Sequence, residues 1–251
     1  VTGATGRMGR TVIETAAARG ETVAFAVNRD PGEATVRDVD VQPATDIEGL
    51  MGTTDPAAVV DFTGPESSVA YARAAAASGV PIVIGTTGFD AQQRRALEEA
   101  GEETPVLLGA NFARGVQALV DAVASVIEAL PEYDVEVTET HHNGKRDAPS
   151  GTADLLLDHI DTARGEPGDR VHGRVGEAPR TAGEIGVHAR RAGDITGEHE
   201  VLLAGNRETL ELTHRAGSRR VFAEGALDAA AWLADQPAGF YRFADVADRL
   251  T

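Results

Sequence analysis

The chain opens with Val1-Thr2-Gly3-Ala4-Thr5-Gly6-Arg7-Met8-Gly9, which places three glycines between the stub of a strand and a helical segment. Apolar residues recur at helical spacing over residues 7–19, and Gly20 predicts the end of that helix. A turn this tight requires residues that lack Cβ, and the amides that begin the following helix attract phosphate groups. The strand–turn–helix order therefore favours a dinucleotide-binding loop over a tight turn that holds no ligand.

The alternation of strand and helix continues outward from this loop to about residue 112. The pattern predicts short apolar strands over residues 22–27, 59–62, 80–84 and 106–108, and helices over residues 67–77 and 91–100. Apolar strands separated by helices are typical of a parallel sheet that is covered on both faces.

The pattern changes in the second half of the chain. It predicts helices over residues 113–130 and 150–163, strands over 134–140, 186–190, 200–203 and 209–214, and final helices over 221–233 and 244–250. Strands grouped in this way indicate a mixed or antiparallel sheet. We therefore predict an α/β fold with two domains. A Rossmann-like parallel-sheet domain takes residues 1–112 and 220–251, and an α+β domain with a mixed sheet takes residues 113–219.

Composition excludes several functions. The chain has no cysteine, so it has no disulfide and no thiol nucleophile. Its net charge of −17 argues against nucleic acid or an anionic membrane as a partner. No apolar run reaches membrane-spanning length and no secretory signal is recognised. The sequence starts at Val1 and not at Met, and we expect residues to precede it.

The acidic composition also suggests a habitat. A strongly negative surface that is poor in lysine predicts a halophilic protein, because a short Debye length at high salt screens the repulsion between its charges.

A single lysine, Lys145, remains among 23 lysines and arginines, and it lies in the block His141-His142-Asn143-Gly144-Lys145-Arg146-Asp147. Lysine can lose its proton where its surroundings demand it, whereas arginine effectively cannot. A histidine titrates near neutral pH. The block therefore predicts a proton-transfer site, in which a histidine supplies the proton and Lys145 is a nearby cation that could also protonate or orient the substrate. A metal site at the two histidines is less favoured without cysteine or His-x-x-x-His spacing, and His142 packed for structural reasons remains an alternative.

The residues that follow this block predict the start of a helix. Ser150 or Asp147 is a suitable cap, and the amides of Gly151 and Thr152 would form a site for a carboxylate. An ammonium, a histidine and a helix N-terminus together would bind a dianionic substrate despite the net charge of the chain.

Asn28-Arg29 follows the second strand, where NAD-specific proteins usually carry an acidic residue for the ribose hydroxyls. Arg29 can pair with a 2′-phosphate, so we expect NADPH to be preferred over NADH. Asp30 contacting the ribose is the alternative. Two more loops, Gly85 to Gly88 and Gly109 to Phe112, follow later strands and either hold the nicotinamide carboxamide or are ordinary polar loops.

The glycine loop also resembles that of short-chain dehydrogenases, whose chemistry requires a tyrosine four residues before a lysine. His141 stands at that position before Lys145, which excludes the mechanism.

Motifs along the whole chain are together similar to those of the dihydrodipicolinate reductase (4-hydroxy-tetrahydrodipicolinate reductase) family. They are Gly3-Ala-Thr-Gly-Arg-Met-Gly-Arg10, Asp61-Phe-Thr63, Ile84-Gly-Thr-Thr-Gly-Phe89, Asn111-Phe112, Glu139-Thr-His-His142, Lys145-Arg-Asp-Ala-Pro-Ser-Gly-Thr152, Arg191-Ala-Gly-Asp-Ile195, Gly197-Glu-His199, Thr213-His-Arg-Ala216 and Ser218-Arg219. The resemblance implies a cytoplasmic homotetramer that reduces a cyclic dicarboxylate with NADPH or NADH in lysine and diaminopimelate biosynthesis. It also implies that the first domain binds the dinucleotide and that the second, residues 113–219, is the substrate and oligomerisation domain.

The resemblance also implies roles for individual residues. His141 and Lys145 would be catalytic, and the substrate contacts would be His142, Ser150, Gly151 and Thr152. The cofactor contacts would be Gly3, Thr5, Gly6, Arg7, Met8, Gly9, Arg29, Gly85, Thr86, Thr87, Gly109, Ala110, Asn111, Phe112 and Arg219. No metal is implied. Some members of the family have a glutamate where this chain has Asn28, which puts the use of NADH in doubt.

The remaining histidines, His159, His172, His188, His199 and His214, are interpreted as surface or network residues, and Arg190, Arg191 and Arg220 as solvated charges. Two other functions stay open: a reductase of another small dicarboxylic imine, and a non-catalytic sensor of NADPH.

Overall fold

The computed structural model describes residues 1–250, which form two compact units. The first unit is Val1–Ala113 together with the segment from Arg219 onward, and the second is Arg114–Ser218. In the described part of the chain, no helix is both long and apolar enough to cross a membrane.

The first segment of the first unit contains β1 (Ala26–Asn28), β2 (Thr35–Val36), β3 (Val39–Pro43), β4 (Val59–Asp61), β5 (Ile82–Ile84), β6 (Pro105–Leu108), α1 (Arg7–Arg19), α2 (Ile47–Thr54), α3 (Pro65–Ser78) and α4 (Ala91–Gly101), with a single 3₁₀ turn at Ala44–Asp46. The second unit contains α5 (Arg114–Ala129), β7 (Asp134–His141), α6 (Gly151–Arg164), β8 (Arg170–His172), β9 (Ile185–Arg191), β10 (Glu198–Gly205) and β11 (Glu208–Arg215). The chain then returns to the first unit with α7 (Arg220–Leu233), β12 (Gly239–Arg242) and α8 (Phe243–Val246).

The first unit is built on a parallel sheet whose order changes direction at the glycine loop. Four parallel strands run in the order β12-β6-β5-β4, and β1 pairs in parallel with β3. Thr2 forms parallel bridges to Val27 on one side and to Asp61 on the other. The residues before the loop therefore lie where the chain crosses from one half of the sheet to the other, which is where ligands bind in such sheets.

The strands of this sheet are apolar on both faces, and successive residues face opposite layers of helices. Ile82 and Ile84 pack in one buried cluster with α3 and α4. Val83, between them, packs in a second cluster with α1 and α7. This two-sided burial explains the continuous apolar runs in the sequence.

The second unit contains a mixed five-stranded sheet in the order β11-β10-β7-β9-β8. β10 is antiparallel to both of its neighbours, whereas β7, β9 and β8 run in parallel. Alternate residues of β7 and β10, among them Val135, Val137 and Val201, form one buried core with α5 and α6. The predicted fold class, a Rossmann-like parallel sheet followed by a mixed sheet, is confirmed.

Several local predictions need correction. The bounds of α1 agree with the pattern, and Gly20 ends it with φ of 75°. The pattern missed β2, β3, α2, β8 and β12, and the last helix ends at Val246 instead of residue 250. These elements are short, polar or only partly buried, so they lack the apolar period on which the predictions relied.

Candidate active site

The glycine loop of the first unit leaves no room for side chains at two of its positions. Gly3 has φ of +65°, and a Cβ there would lie 2.9 Å from Thr63 Cγ2. A Cβ on Gly9 would lie 2.2 Å from the carbonyl oxygen of Gly3, so the first turn of α1 packs directly on the loop. Gly6 is the N-cap of α1, and the first turn carries no acidic side chain. The amides of residues 7–9 have no carbonyl partner within the helix, and the helix dipole is positive there.

A cleft of about 770 Å³ opens beside this loop within the first unit. Its lining includes Gly3, Thr5, Gly6, Asn28, Arg29, Asp30, Thr63 and Ser67. Arg29 is exposed, and its Nη2 donates a hydrogen bond to Ser67 Oγ at 3.3 Å. The cleft has the size of a small-molecule site. The N-terminus of α1, which attracts anions, and the guanidinium group of Arg29 both lie along it.

Asp61, the last residue of β4, is a fully buried carboxylate that is held by hydroxyl groups. The hydroxyls of Thr2 and Ser68 donate to it, as do those of Thr63 at 2.7 Å and Thr86 at 3.3 Å. Burial raises the pKa of Asp61 above its usual value, although these hydrogen bonds act in the opposite direction. We call these five residues the Asp61 cluster. Thr86 is 7% exposed, and its hydroxyl bonds with Ser68 and Asp61 inside this cluster.

The loop after β5 contains two further residues that the sequence assigned to the cofactor. Gly85 donates its amide to the carbonyl of Asp61 at 2.8 Å. A Cβ on Gly85 would lie 2.1 Å from Phe62 Cε1, so the packing of that ring requires glycine. Thr87 is exposed.

The loop after β6 contains Gly109, Ala110, Asn111 and Phe112. Phe112 is 1% exposed, and its ring packs edge-on against Phe62 and Phe243. Asn111 Oδ1 accepts a hydrogen bond from the amide of Ala113 at 2.8 Å, whereas Ala110 is exposed. A ligand can therefore meet Phe112 through its backbone but not through its buried ring.

Arg219 is the N-cap residue of α7 and is half-buried, and its side chain makes no capping hydrogen bond.

The carboxyl end of β7 in the second unit brings Glu139 and His141 onto one face, since residues two apart in a strand point the same way. His141 Nδ1 lies 2.6 Å from Glu139 Oε2. Arg191 stands opposite His141 in the pairing of β7 with β9. Its two terminal nitrogens donate to the two oxygens of Glu139, at 2.8 and 2.7 Å. The prediction that Arg191 is a solvated charge is wrong, because it neutralises a carboxylate that is only 1% exposed.

Ser150 caps α6 and connects it to this pair. Its Oγ accepts a hydrogen bond from the amide of Ala153 at 3.2 Å, as the sequence predicts for a helix cap. Its own amide donates to Glu139 Oε1 at 3.2 Å. The ring of His199, which is 3% exposed, places Nε2 3.0 Å from Ser150 Oγ. Gly151 is the first residue of α6, and it is exposed.

Lys145 and His142 lie in the turn between β7 and α6. Lys145 Nζ donates to Asp147 Oδ2 at 2.8 Å, and its side chain is 20% exposed. The Lys145 amide donates to the carbonyl of His142 at 3.1 Å, which closes the turn. His142 is half-buried. Asp147 thus pairs with Lys145, and Ser150 supplies the cap.

The cluster around Glu139 shifts the titration of its members. Burial raises the pKa of Glu139, but the hydrogen bonds from Arg191 and His141 and their charges outweigh it, so the net pKa lies below its usual value. Burial lowers the pKa of His141, as do the charges of Lys145 and Arg191, and Glu139 only partly offsets this. Burial lowers the pKa of His199 to about 3, so His199 is neutral at neutral pH.

Sequence reasoning missed two residues of this site, Glu139 and Arg191, as functional groups. Their contacts join positions 52 residues apart in the sequence, and only the pairing of β7 with β9 brings them together. The sequence signal for Glu139 was its spacing of two residues from His141, which directly follows the predicted strand over residues 134–140. Among residues 1–250, no three or more His, Cys, Asp or Glu side chains form a group that could hold a metal ion.

Models of a known protein family match both units of the chain. The model for the N-terminal region of dihydrodipicolinate reductase matches residues 1–112, and the model for its C-terminal region matches residues 115–247. The chain belongs to the dihydrodipicolinate reductase family.

Relatives within this family are similar over their whole length. A 4-hydroxy-tetrahydrodipicolinate reductase from Natronomonas pharaonis is 56% identical over 245 residues, which cover 98% of each chain. The protein of the same name from Haloarcula marismortui is 47% identical over 99% of this chain and 98% of its own. A dipicolinate-bound dihydrodipicolinate reductase from Paenisporosarcina sp. TG-14 has the same fold, with a TM-score of 0.77 at 22% identity over 98% of this chain and 97% of that one. The family resemblance that the motifs indicated is confirmed.

Proposed function

We propose that this dihydrodipicolinate reductase family member reduces 4-hydroxy-tetrahydrodipicolinate to tetrahydrodipicolinate, with loss of water, in lysine and diaminopimelate biosynthesis. The observation that carries the proposal is the cluster at the start of α6. There a histidine, the only lysine and a capped helix N-terminus lie in one short segment between β7 and α6. Relatives that match the chain from end to end bear the name of this reductase.

The first unit would hold the nicotinamide cofactor, which supplies the hydride. The fit rests on the close packing of Gly9 against Gly3, the acid-free first turn of α1 and the adjacent cleft. The residues that we assign to it are Gly3, Thr5, Gly6, Arg7, Met8, Gly9, Arg29, Gly85, Thr86, Thr87, Gly109, Ala110, Asn111, Phe112 and Arg219. Thr86 and Phe112 would contribute through their backbones or by shaping the loops, because their side chains are buried.

The second unit would bind the dicarboxylate and supply the proton. The start of α6, at Gly151 and Thr152, would neutralise the carboxylates together with Lys145, which would also assist as a proton donor. His142 and Ser150 complete the site. His141 would donate the proton that quenches the charge left on the ring by reduction. The lowered pKa of His141 makes its imidazolium a stronger acid.

The test is an assay of NAD(P)H oxidation with the condensation product of aspartate semialdehyde and pyruvate. We expect turnover by the wild-type protein and a loss of about 100-fold in kcat for Lys145→Ala, the usual scale for a proton donor. Arg146→Ala removes an exposed neighbouring cation and should retain near-normal kcat. Absence of oxidation with this substrate, in a folded protein that binds cofactor, would favour a reductase of another imine or a sensor of NADPH.

We also propose that NADPH is preferred over NADH. Arg29 lies at the end of β1 in the cleft, where a guanidinium would pair with a 2′-phosphate, and Ser67 holds its side chain. Arg29→Ala should raise the KM for NADPH about tenfold and leave the KM for NADH nearly unchanged, since a charge-assisted hydrogen bond contributes about 1.5–3 kcal/mol. Arg73→Ala, on the exposed side of α3, is the control. A lower KM for NADH in the wild-type protein would contradict the preference and favour contact of Asp30 with the ribose.

We further propose a cytoplasmic homotetramer that is adapted to high salt. The family resemblance supports association through the second unit, and the net charge of −17 supports the salt requirement. Light scattering coupled to size exclusion should give four chains per particle, and the melting temperature should rise with KCl concentration. A monomer, or a melting temperature independent of salt, would contradict these proposals.

A further inference from the structure

The carboxylate of Glu139 is saturated by hydrogen bonds from three separate segments. Oε2 contacts His141 Nδ1 at 2.6 Å and a terminal nitrogen of Arg191 at 2.8 Å. Oε1 accepts from the other terminal nitrogen of Arg191 at 2.7 Å and from the amide of Ser150 at 3.2 Å. These partners belong to β7, to β9 and to the cap of α6. We call these four residues the Glu139 cluster.

This arrangement dictates where His141 carries its proton. An ionised carboxylate only accepts hydrogen bonds, and the paired guanidinium keeps Glu139 ionised. Nδ1 of His141 must therefore carry a proton in both the neutral and the charged ring. The proton that the imidazolium can release is then the one on Nε2, on the opposite side of the ring from Glu139.

The backbone of Gly197 lies beside Nε2. A Cβ on Gly197 would lie 3.0 Å from His141 Nε2, so any larger residue at this position would press on that nitrogen. The other groups that face the ring are Lys145 and Arg191, which act on it by charge, and the ring of His199, whose centroid is 5.2 Å away.

We propose that Glu139 is a positioning residue that fixes the tautomer and orientation of His141 and, through the Ser150 amide, the start of α6. One carboxylate then aligns the proton donor with the turn that would bind the substrate carboxylate. This inference rests on the proposed function for its catalytic consequence, but the tautomer of His141 is measurable without substrate. Arg191 acts through Glu139 by keeping it ionised and bidentate.

The experiment is solid-state ¹⁵N NMR of the full-length protein labelled at histidine, with the His141 signals assigned by their loss in His141→Asn. The wild-type protein should show the Nδ1–H tautomer at His141. In Glu139→Gln, the side-chain amide should donate to Nδ1, and the Nε2–H tautomer should become substantial. Glu136→Gln is the matched control, because Glu136 contacts His188 Nε2 at 2.6 Å from the same strand. It should change the His188 signals and leave those of His141 in place.

Kinetics provide a second readout. Glu139→Gln should lower kcat at least 100-fold, since loss of the orienting carboxylate costs about 10⁴-fold in the Ser-His-Asp triad. It should also move the limb of the pH profile that belongs to His141 to lower pH, since the charge of Glu139 favours the imidazolium. Glu139→Asp should show a smaller loss of kcat and a smaller shift of the pH profile than Glu139→Gln, because it keeps the charge.

The outcomes separate this inference from the proposed function. Unchanged His141 signals in Glu139→Gln would overturn the inference, whatever the activity. A wild-type protein that shows the Nδ1–H tautomer but no turnover would overturn the proposed function and leave the inference standing. If Glu139→Gln fails to fold, the double variant Glu139→Leu/Arg191→Met replaces the buried ion pair by apolar side chains of similar size, a change that proteins often tolerate. Without the carboxylate the Nε2–H tautomer of His141 should become substantial, and an unshifted Nδ1–H tautomer in this variant would contradict the inference.

Discussion

Each unit of the molecule contains a buried carboxylate near the carboxyl end of a strand, Asp61 in the first and Glu139 in the second, and these two are held in opposite ways. Asp61 is surrounded by four hydroxyls, and burial raises its pKa. Glu139 is held by a guanidinium, an imidazole and an amide, and its net pKa lies below its usual value. Hydroxyls can turn to donate or accept, so they tolerate either charge state. A guanidinium only donates, so it requires the ionised form.

The difference shows what each cluster is able to do. The Asp61 cluster connects the residues before the glycine loop to the segments that follow β4 and β5. Its role does not require any of its members to gain or lose a proton. The Glu139 cluster holds a fixed negative charge against the titratable ring of His141. Substitutions in either cluster can lower stability, but only those in the Glu139 cluster should also change the pH dependence of catalysis.

Arg191→Ala should have the largest effect on stability. It leaves Glu139 buried without its cation, and removal of one partner of a buried pair costs about 3–5 kcal/mol. Arg190→Ala is the control, since Arg190 is exposed and donates only to the Thr140 hydroxyl. Urea unfolding at pH 7.5 measures both variants, and a loss below about 1 kcal/mol for Arg191→Ala would show that charge is unimportant in the Glu139 cluster.

His199→Gln should make the protein less sensitive to acid. The pKa of His199 falls to about 3 on folding from its usual 6.5, so the unfolded chain binds an extra proton between these values. The contribution of neutral His199 to the free energy of unfolding is present above pH 6.5 and is lost as the pH falls. Over that range the free energy of unfolding changes by up to about 1.4 kcal/mol per pH unit. The variant should lose this slope, whereas His172→Gln, at an exposed position of β8, should keep it. Equal slopes for the wild-type protein and His199→Gln between pH 6 and 4 would contradict the argument.

Two glycine substitutions compare the clusters directly. Gly197→Ala should lower kcat about tenfold, or about 1.4 kcal/mol, because the new methyl group presses on His141 Nε2. Its unfolding midpoint should stay close to that of the wild-type protein. Gly85→Ala should instead lower stability by about 1–3 kcal/mol, because the methyl overlaps the ring of Phe62. The reverse pattern would remove the distinction between a chemical and a structural cluster.

Asp61→Asn should have the smallest effect, within about 1 kcal/mol at pH 7, because the amide can bond to the same hydroxyls. The sign of its pH dependence is opposite to that of Glu139. A carboxyl whose pKa is raised on folding stabilises most at low pH and loses that contribution as the pH rises through its folded-state pKa. Urea unfolding between pH 4 and 7 should therefore show a smaller loss with rising pH in Asp61→Asn than in the wild-type protein. A larger loss would show that Asp61 is held as an anion.

The sequence was sufficient where local chemistry decides the structure. Three glycines and an apolar period placed α1, and Ser150 was correctly proposed as a helix cap. It was insufficient where a contact depends on strand pairing, as for Arg191, whose partner is fixed by the register of β7 with β9. The hairpin of β2 and β3 was missed because its turn residues, Arg37 and Asp38, have positive φ without the glycine or asparagine that usually signals such a turn.

The position of Lys145, in the turn before α6, has a practical consequence. Since the chain has one lysine, an amine-selective reagent meets a single side chain, and that side chain lies beside the proposed proton donor. Reductive methylation with ¹³C-formaldehyde would place a single side-chain NMR reporter there, in addition to the label on the N-terminal α-amine. The chemical shift of the methylated Lys145 would report the binding of a dicarboxylate without any mutation. In a lysine-rich protein many methylated side chains would overlap with this signal.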